Sequence, residues 1–134
     1  MNGKMWTLND LKGKVVVVDF WFTGCGACSN LFKSTLSRVE REFRENSNVV
    51  FVSISIDRDK AMWLKSIENG EYTSDHAINL HTEGLGSKHS MLKSLNIVGY
   101  PCVVLLDKSG VIISFNSPNL YQEQSLSNTI NTIL

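Results

Sequence analysis

Val15 to Phe22 is an almost unbroken apolar run, and it constrains the chain more than any other stretch. A strand apolar on both faces must be covered on both faces, which points to a central sheet position with parallel neighbours. Gly24-Cys25-Gly26-Ala27-Cys28 follows at once, and Leu31 to Phe43 then carry apolar residues at helical spacing. Two cysteines separated by two small residues therefore stand where a buried strand gives way to a helix. The first N–H groups of a helix lack intrahelical partners, and the helix dipole is positive there. Negative charge is favoured at that end, so a thiol placed there ionises more readily than a free one. A second thiol three residues on lies within about one helical turn, close enough for a disulfide. One activated sulfur with a second in reach makes a redox switch. Two other uses of the pair are weaker. A structural disulfide over so short a loop removes little chain entropy. Half of a zinc site needs two more ligands, and His76, His81, His89 and Cys102 form no second knuckle.

Composition narrows the setting. At 134 residues the chain is read as a single domain, 1–134, large enough to bury a core without staples. Thirteen basic and thirteen acidic side chains balance, so charge offers no reason to expect nucleic acid or an anionic membrane as partner. No apolar run approaches the ~20 residues of a membrane span. Three cysteines are too few for a disulfide framework. Met1 to Lys14 hold no signal-peptide apolar region. Asn2-Gly3-Lys4 is a turn signal with little before it, followed by the alternating Met5-Trp6-Thr7-Leu8. It reads as a hairpin turn lacking its first strand, so the expectation is a domain cut close to its N-terminal edge.

Along the rest of the chain, a helix from about Gly26 to Asn46 is expected to place Phe32, Leu36, Val39 and Phe43 on one stripe. Lys33, Arg38, Glu40, Arg41 and Glu45 fall mostly elsewhere. Val49 to Ile56 form a second buried strand. Asp57 or Asp59 caps a helix carrying Ala61, Met62, Trp63, Leu64 and Ile67, which Gly70 stops. Glu71 to Gly86 lose periodicity and read as a loop-rich surface excursion. Ser87 then caps a short helix with Met91, Leu92 and Leu95 inward. Cys102 to Leu106 are a third strand, Asp107 to Gly110 a hairpin turn, and Val111 to Phe115 a fourth strand. Tyr121 to Leu134 close the chain as a helix. The order gives a parallel pair followed by an antiparallel pair, with helices on the faces.

The run Val17-Val18-Asp19-Phe20-Trp21-Phe22-Thr23-Gly24-Cys25-Gly26-Ala27-Cys28 resembles the active-site region of the thioredoxin superfamily. Asp19 stands six residues before Cys25, where thioredoxins keep a buried acid. Gly99-Tyr100-Pro101 resembles the loop that carries the family's cis-proline. The lead-in Thr7 to Lys14 and the long segment between Ile56 and Pro101 are similar to the TlpA/ResA-like group, which carries an extra strand and helix there. The resemblance implies an α/β thioredoxin fold: a central mixed β-sheet flanked by helices on both faces, with an insertion between the second buried strand and the cis-Pro loop.

For function it implies a thiol–disulfide oxidoreductase that reduces partner-protein disulfides. Cys25 would be the nucleophile, Cys28 the resolving thiol and Asp19 a buried proton acceptor. Trp21, Gly24, Tyr100 and Pro101 would face the partner peptide. Cys25 would ionise near the ~7 of thioredoxin itself, with Cys28 more shielded. No metal and no cofactor beyond the Cys25–Cys28 disulfide is expected. The partners would be protein thiols and disulfides, with a membrane thiol–disulfide relay as electron donor and the protein a monomer. The location would be extracytoplasmic (periplasmic), and a membrane anchor in a full-length protein fits the resemblance.

Plainer readings stand beside these. Asp19 can be a strand-end carboxylate reaching solvent, and Pro101 an ordinary trans proline entering an edge strand. Cys102 reads first as a buried small apolar residue, and second as a sulfur near the pair, able to form another disulfide. Trp6, Phe22 and Trp63 read as core or rim residues, and the histidines as solvated. The chain departs from the family in carrying Gly24 where most relatives have tryptophan, and Ser53-Ile54-Ser55 where thioredoxins keep a lysine near the acid. Cys102 stands where threonine is usual after the proline. The rival activities are a peroxiredoxin, which needs an arginine-assisted lone cysteine, and a binding module that keeps the fold without turnover.

Overall fold

The computed structural model describes residues 8–134. The turn at Asn2-Gly3-Lys4, the run Met5 to Thr7 and Trp6 lie outside the described residues. A single five-stranded sheet runs in the order β3-β2-β1-β4-β5. Its strands are β1 (Val15–Trp21), β2 (Val49–Ser55), β3 (Ile78–His81), β4 (Cys102–Leu106) and β5 (Ile112–Phe115). β1 pairs parallel with β2, Val15 opposite Val49 through Trp21 opposite Ser55. On its other side β1 runs antiparallel to β4, with Phe20 opposite Cys102. The apolar run thus sits at the centre of the sheet, as two-faced burial requires.

Alternation along β1 separates two cores. Val15 and Val17 face Leu31, Leu36, Val39 and Phe43 of the first helix and Leu126 and Ile130 of the last. Val16 and Phe20 face Leu92 and Ile97 on the opposite side, together with Val52, Ile54, Cys102 and Val104. Burying each such aliphatic side chain is worth about 1.5–3 kcal/mol, so β1 anchors both layers.

Helical structure after the cysteines is continuous over three segments: α1 (Gly26–Leu31), a π-helical turn (Phe32–Leu36) and α2 (Ser37–Glu42). It ends at Glu42, four residues short of the Asn46 boundary expected from sequence. Glu40, expected on the solvated side, is buried with 8% exposure. Glu40 stands four residues after Leu36 and next to Val39, so ordinary helical spacing sets it at the edge of the buried stripe, where Ser74 Oγ donates to its carboxylate.

α3 (Lys60–Asn69) is capped by Asp59, whose carboxylate accepts from Ala61 N and Met62 N, and it ends at Gly70 in the left-handed region. Asp57 is free for another task. The stretch Glu71 to Gly86 is no mere excursion, because it contains β3, parallel to β2 with Ile78 opposite Val52. Four half-buried residues at a sheet edge leave too short a pattern to stand out. The short helix α4 (Ser90–Ser94) is capped by His89 rather than Ser87; His89 Nδ1 accepts from Met91 N, while Ser87 lies in a 3₁₀ turn. α5 (Glu123–Ile133) starts two residues later than expected, behind a 3₁₀ turn over Pro118–Tyr121. β5 is an edge strand with Ile112, Ile113 and Phe115 exposed.

Candidate functional site

Cys25 is the N-cap of α1, with extended backbone (φ −79°, ψ 99°), and its Sγ accepts a hydrogen bond from Cys28 N at 3.2 Å. An orphan N–H of the first helical turn therefore points at the first sulfur, the arrangement that stabilises negative charge there. The two cysteines are joined as a disulfide, with Cα atoms 5.2 Å apart. Both residues are largely covered, Cys25 at 6% exposure and Cys28 at 4%, so the expected difference in shielding is slight. The skin over the pair is thin: Gly24, Gly26 and Ala27 are all exposed and carry nothing larger than a methyl group.

The loop leading into Cys25 is held from three directions. Thr23 N donates to Asp57 Oδ1 at 2.8 Å and Thr23 Oγ1 to Asp57 Oδ2 at 2.5 Å. With that hydrogen used, Ser66 Oγ is the donor in its 2.6 Å contact with Thr23 Oγ1. Gly24 N donates to the Tyr72 hydroxyl at 2.8 Å. Tyr72 in turn stacks on Trp21, ring centroids 4.8 Å apart and 6° from parallel. Gly24 itself has φ +97°, which only glycine adopts cheaply. That conformation suits the glycine at this position.

Sequence pattern does not mark Asp57, Ser66 and Tyr72 as site residues. Each reaches the loop from a distant part of the chain, and the one local cue was an apparent choice of two caps at Asp57 and Asp59. Trp21 also differs from expectation. It is fully buried beneath the loop, with Nε1 donating to Ser53 Oγ at 2.7 Å, so it supports the site and does not face a partner.

The Tyr100–Pro101 peptide is cis, so the trans alternative does not hold. Tyr100 packs against the cluster of Trp21, Cys25, Cys28, Trp63 and Tyr72, and meets Phe22 edge-to-face at 5.8 Å. The proline loop thus borders the cluster that contains the cysteine pair. Its carbonyl is tied back, because the Tyr121 hydroxyl donates to Pro101 O at 3.3 Å and also contacts Asn116 Oδ1. Beside the loop lies an open groove of about 480 Å3, bordered by Leu92, Lys93, Ile97, Val98 and Tyr100, with Val98 88% exposed.

Asp19 is not a solvent-reaching carboxylate. It is buried, and desolvation first, with the nearby Glu40 charge second, holds its carboxyl well above the usual range. A hydrogen bond from Ser53, at the position where a lysine is absent, works the other way. Asp19 shares its side of β1 with Trp21, and Phe32, one helical turn beyond Cys28, lines the same small cavity.

Cys102 is the remaining free thiol. It packs with Phe20, Ile54 and Leu92 in the core of the opposite layer, and burial pushes the thiol up to about 11. That suits a small core residue and not a nucleophile. The histidines are not uniformly solvated. His81 lies in β3 with its ring 4.4 Å from that of Trp63, and His89 is the α4 cap.

The sequence pattern of the thioredoxin-like family matches residues 13–112. Thioredoxin-like protein YneN of Bacillus subtilis (strain 168) is 24% identical over 112 residues, covering 84% of this chain and 61% of YneN. The chain therefore spans less than two thirds of that relative's length. Among solved structures, the thioredoxin domain of a thiol-disulfide oxidoreductase from Bacteroides vulgatus superposes with a TM-score of 0.78 at 29% identity, covering 98% of this chain and 87% of that one. A thiol:disulfide interchange protein from Bacteroides sp. gives a TM-score of 0.74 at 30% identity, over 98% of this chain and 80% of that one.

Proposed function

The chain belongs to the thioredoxin-like family, and from that membership we propose that it is a thiol–disulfide oxidoreductase working through Cys25 and Cys28. The observation that carries the reading is the Cys25 sulfur at a helix N-cap, accepting the Cys28 N–H, with Tyr100 of the cis-proline loop packed against the cluster that holds the pair. In the reduced protein the Cys25 thiolate attacks one sulfur of a partner disulfide. The partner's S–S bond breaks, its second sulfur leaves as thiolate, and a mixed disulfide forms. Cys28 then gives its proton to Asp19 and attacks Cys25 Sγ. The bond to the partner breaks, the partner departs with both thiols reduced, and two electrons have passed from the Cys25–Cys28 dithiol. A donor dithiol must restore the pair for a further turnover.

The partner would enter as an extended segment beside the proline loop, with an apolar side chain in the groove at Val98 and Tyr100. Gly24, Tyr100 and Pro101 are the contact positions. Trp21, Asp57 and Tyr72 act by holding the loop. Electron flow towards the partner, an extracytoplasmic location and a membrane relay as donor are supported by the TlpA/ResA-like resemblance. Reduction of insulin disulfides in the presence of dithiothreitol tests the activity. Turnover that disappears in Cys25→Ser is expected, and no acceleration over dithiothreitol alone would overturn the reading. Redox titration against glutathione tests the direction, since a reductant must hold its electrons less tightly than the partner does.

A further inference from the structure

Glu40 has no part in the chemistry so far, yet it is a buried acid facing another. It shares with Asp19 a cavity of about 10 Å3, room for roughly one water, whose polar lining also includes Ser53, Tyr72 and Thr73. The two carboxylates come from different elements, Asp19 from β1 and Glu40 from α2, and among the described residues the cavity lining holds no Lys or Arg. Glu40 is held from outside by the inserted segment: Ser74 Oγ donates to Glu40 Oε1 at 2.6 Å, and His76 N donates to Ser74 Oγ at 3.1 Å. Two carboxyl groups across one small cavity cannot both ionise freely.

We propose that Asp19 and Glu40 form a two-carboxylate proton site, in which Glu40 is a positioning residue that sets the pH above which Asp19 can take the Cys28 proton. The proposal rests on the redox reading of Cys25 and Cys28. Where a lysine would ease ionisation of the buried acid, Glu40 opposes it, so the proton stays on the pair to a higher pH. The pair then titrates as a unit, in two steps that belong to both groups.

The other groups facing the site are few. Asp19 meets Ser53, and its charge is felt by Tyr121. Glu40 meets Ser74, His76, Arg44 and Asp75, and burial outweighs them in holding its carboxyl above the usual range. Glu40→Gln keeps the shape and leaves a carbonyl oxygen to accept from Ser74.

The test follows the reaction of reduced protein with oxidised glutathione by rapid acid quench and mass spectrometry, which separates adduct formation at Cys25 from its resolution by Cys28. Across pH 5–9, resolution in Glu40→Gln should reach its midpoint at least about half a unit lower than in the parent. That is roughly a threefold faster rate at a fixed pH below the midpoint. Asp19→Asn should lose the pH-dependent limb. The shift must persist with His76 replaced by Gln, which removes the neighbouring imidazole. Carboxyl 13C titration of the parent adds a readout independent of turnover: Asp19 and Glu40 should each respond at both steps, and Asp19 in a single, lower step in Glu40→Gln. Superimposable profiles for parent and Glu40→Gln, a midpoint moved upward, or independent single titrations in the parent would overturn the proton site while leaving the redox reading intact. A parent that forms no adduct at Cys25 would instead overturn the redox reading, and the proton site with it.

Discussion

Replacing Tyr72 tests whether the inserted segment holds the active loop. Tyr72→Phe removes one atom, the hydroxyl oxygen that accepts from Gly24 N at 2.8 Å, and leaves the ring stacked on Trp21. A neutral hydrogen bond contributes about 1 kcal/mol net, and a half-buried N–H left without a partner costs about 1–3 kcal/mol. The expected loss is about 1.5 kcal/mol, since Gly24 lies at the surface and water can replace part of the bond. Tyr72→Ala also removes the ring, which is buried against Trp21, and should lose about 4–5 kcal/mol in total. Urea unfolding followed by tryptophan fluorescence measures both. At an m-value of about 2 kcal/mol/M, Tyr72→Phe should lower the midpoint by about 0.7 M with the slope unchanged. The loss should appear in oxidised and reduced protein alike, because the bond does not depend on the disulfide. A Tyr72→Phe midpoint within about 0.2 M of the parent would refute the hydroxyl's role. Equal losses for Phe and Ala would refute the part assigned to the stack.

Three further outcomes follow from the same geometry. Because Asp19 holds its proton to a higher pH folded than unfolded, the native state binds more protons between those two values. Stability should therefore fall as pH rises from the ordinary carboxylate range through the folded value, and urea midpoints at several pH values should flatten in Asp19→Asn. Gly24→Ala meets no atom within 4 Å but must adopt φ +97°, so it should cost about 1–2 kcal/mol in thermal or urea unfolding through backbone strain alone. Cys102→Ala should cost about 1 kcal/mol as a small core truncation and leave insulin reduction unchanged, with peroxide-treated parent showing no Cys25–Cys102 link by mass spectrometry.

The parts legible in the sequence are those whose signal is local. β1, the cysteine pair and the start of α1 stand in consecutive residues, and the hairpin after β4 announces itself in Asp107 to Gly110. β3 does not, because Ile78-Asn79-Leu80-His81 alternates over only four residues at a sheet edge. Glu40 reads as a solvated helix charge, yet it stands four residues after Leu36 at the edge of the buried stripe, and its partner Ser74 comes from a segment 34 residues on. Trp21 reads as a rim aromatic because the motif says nothing of Tyr72 stacking beneath the loop, 51 positions on. Asp57 and Ser66 belong to the same class. Their partner is Thr23, more than thirty residues away, and periodicity carries no information about such pairs.

The most direct measurement of the central claim is capture of the mixed disulfide. Reduced Cys28→Ser protein mixed with insulin should accumulate a covalent adduct through Cys25, visible on non-reducing electrophoresis, released by dithiothreitol and mapped by peptide mass spectrometry. Cys25→Ser should accumulate none on the same timescale, because Cys28 lies inside the first helical turn and Cys102 is buried in the core. Equal capture by the two variants, or none by Cys28→Ser, would contradict the account.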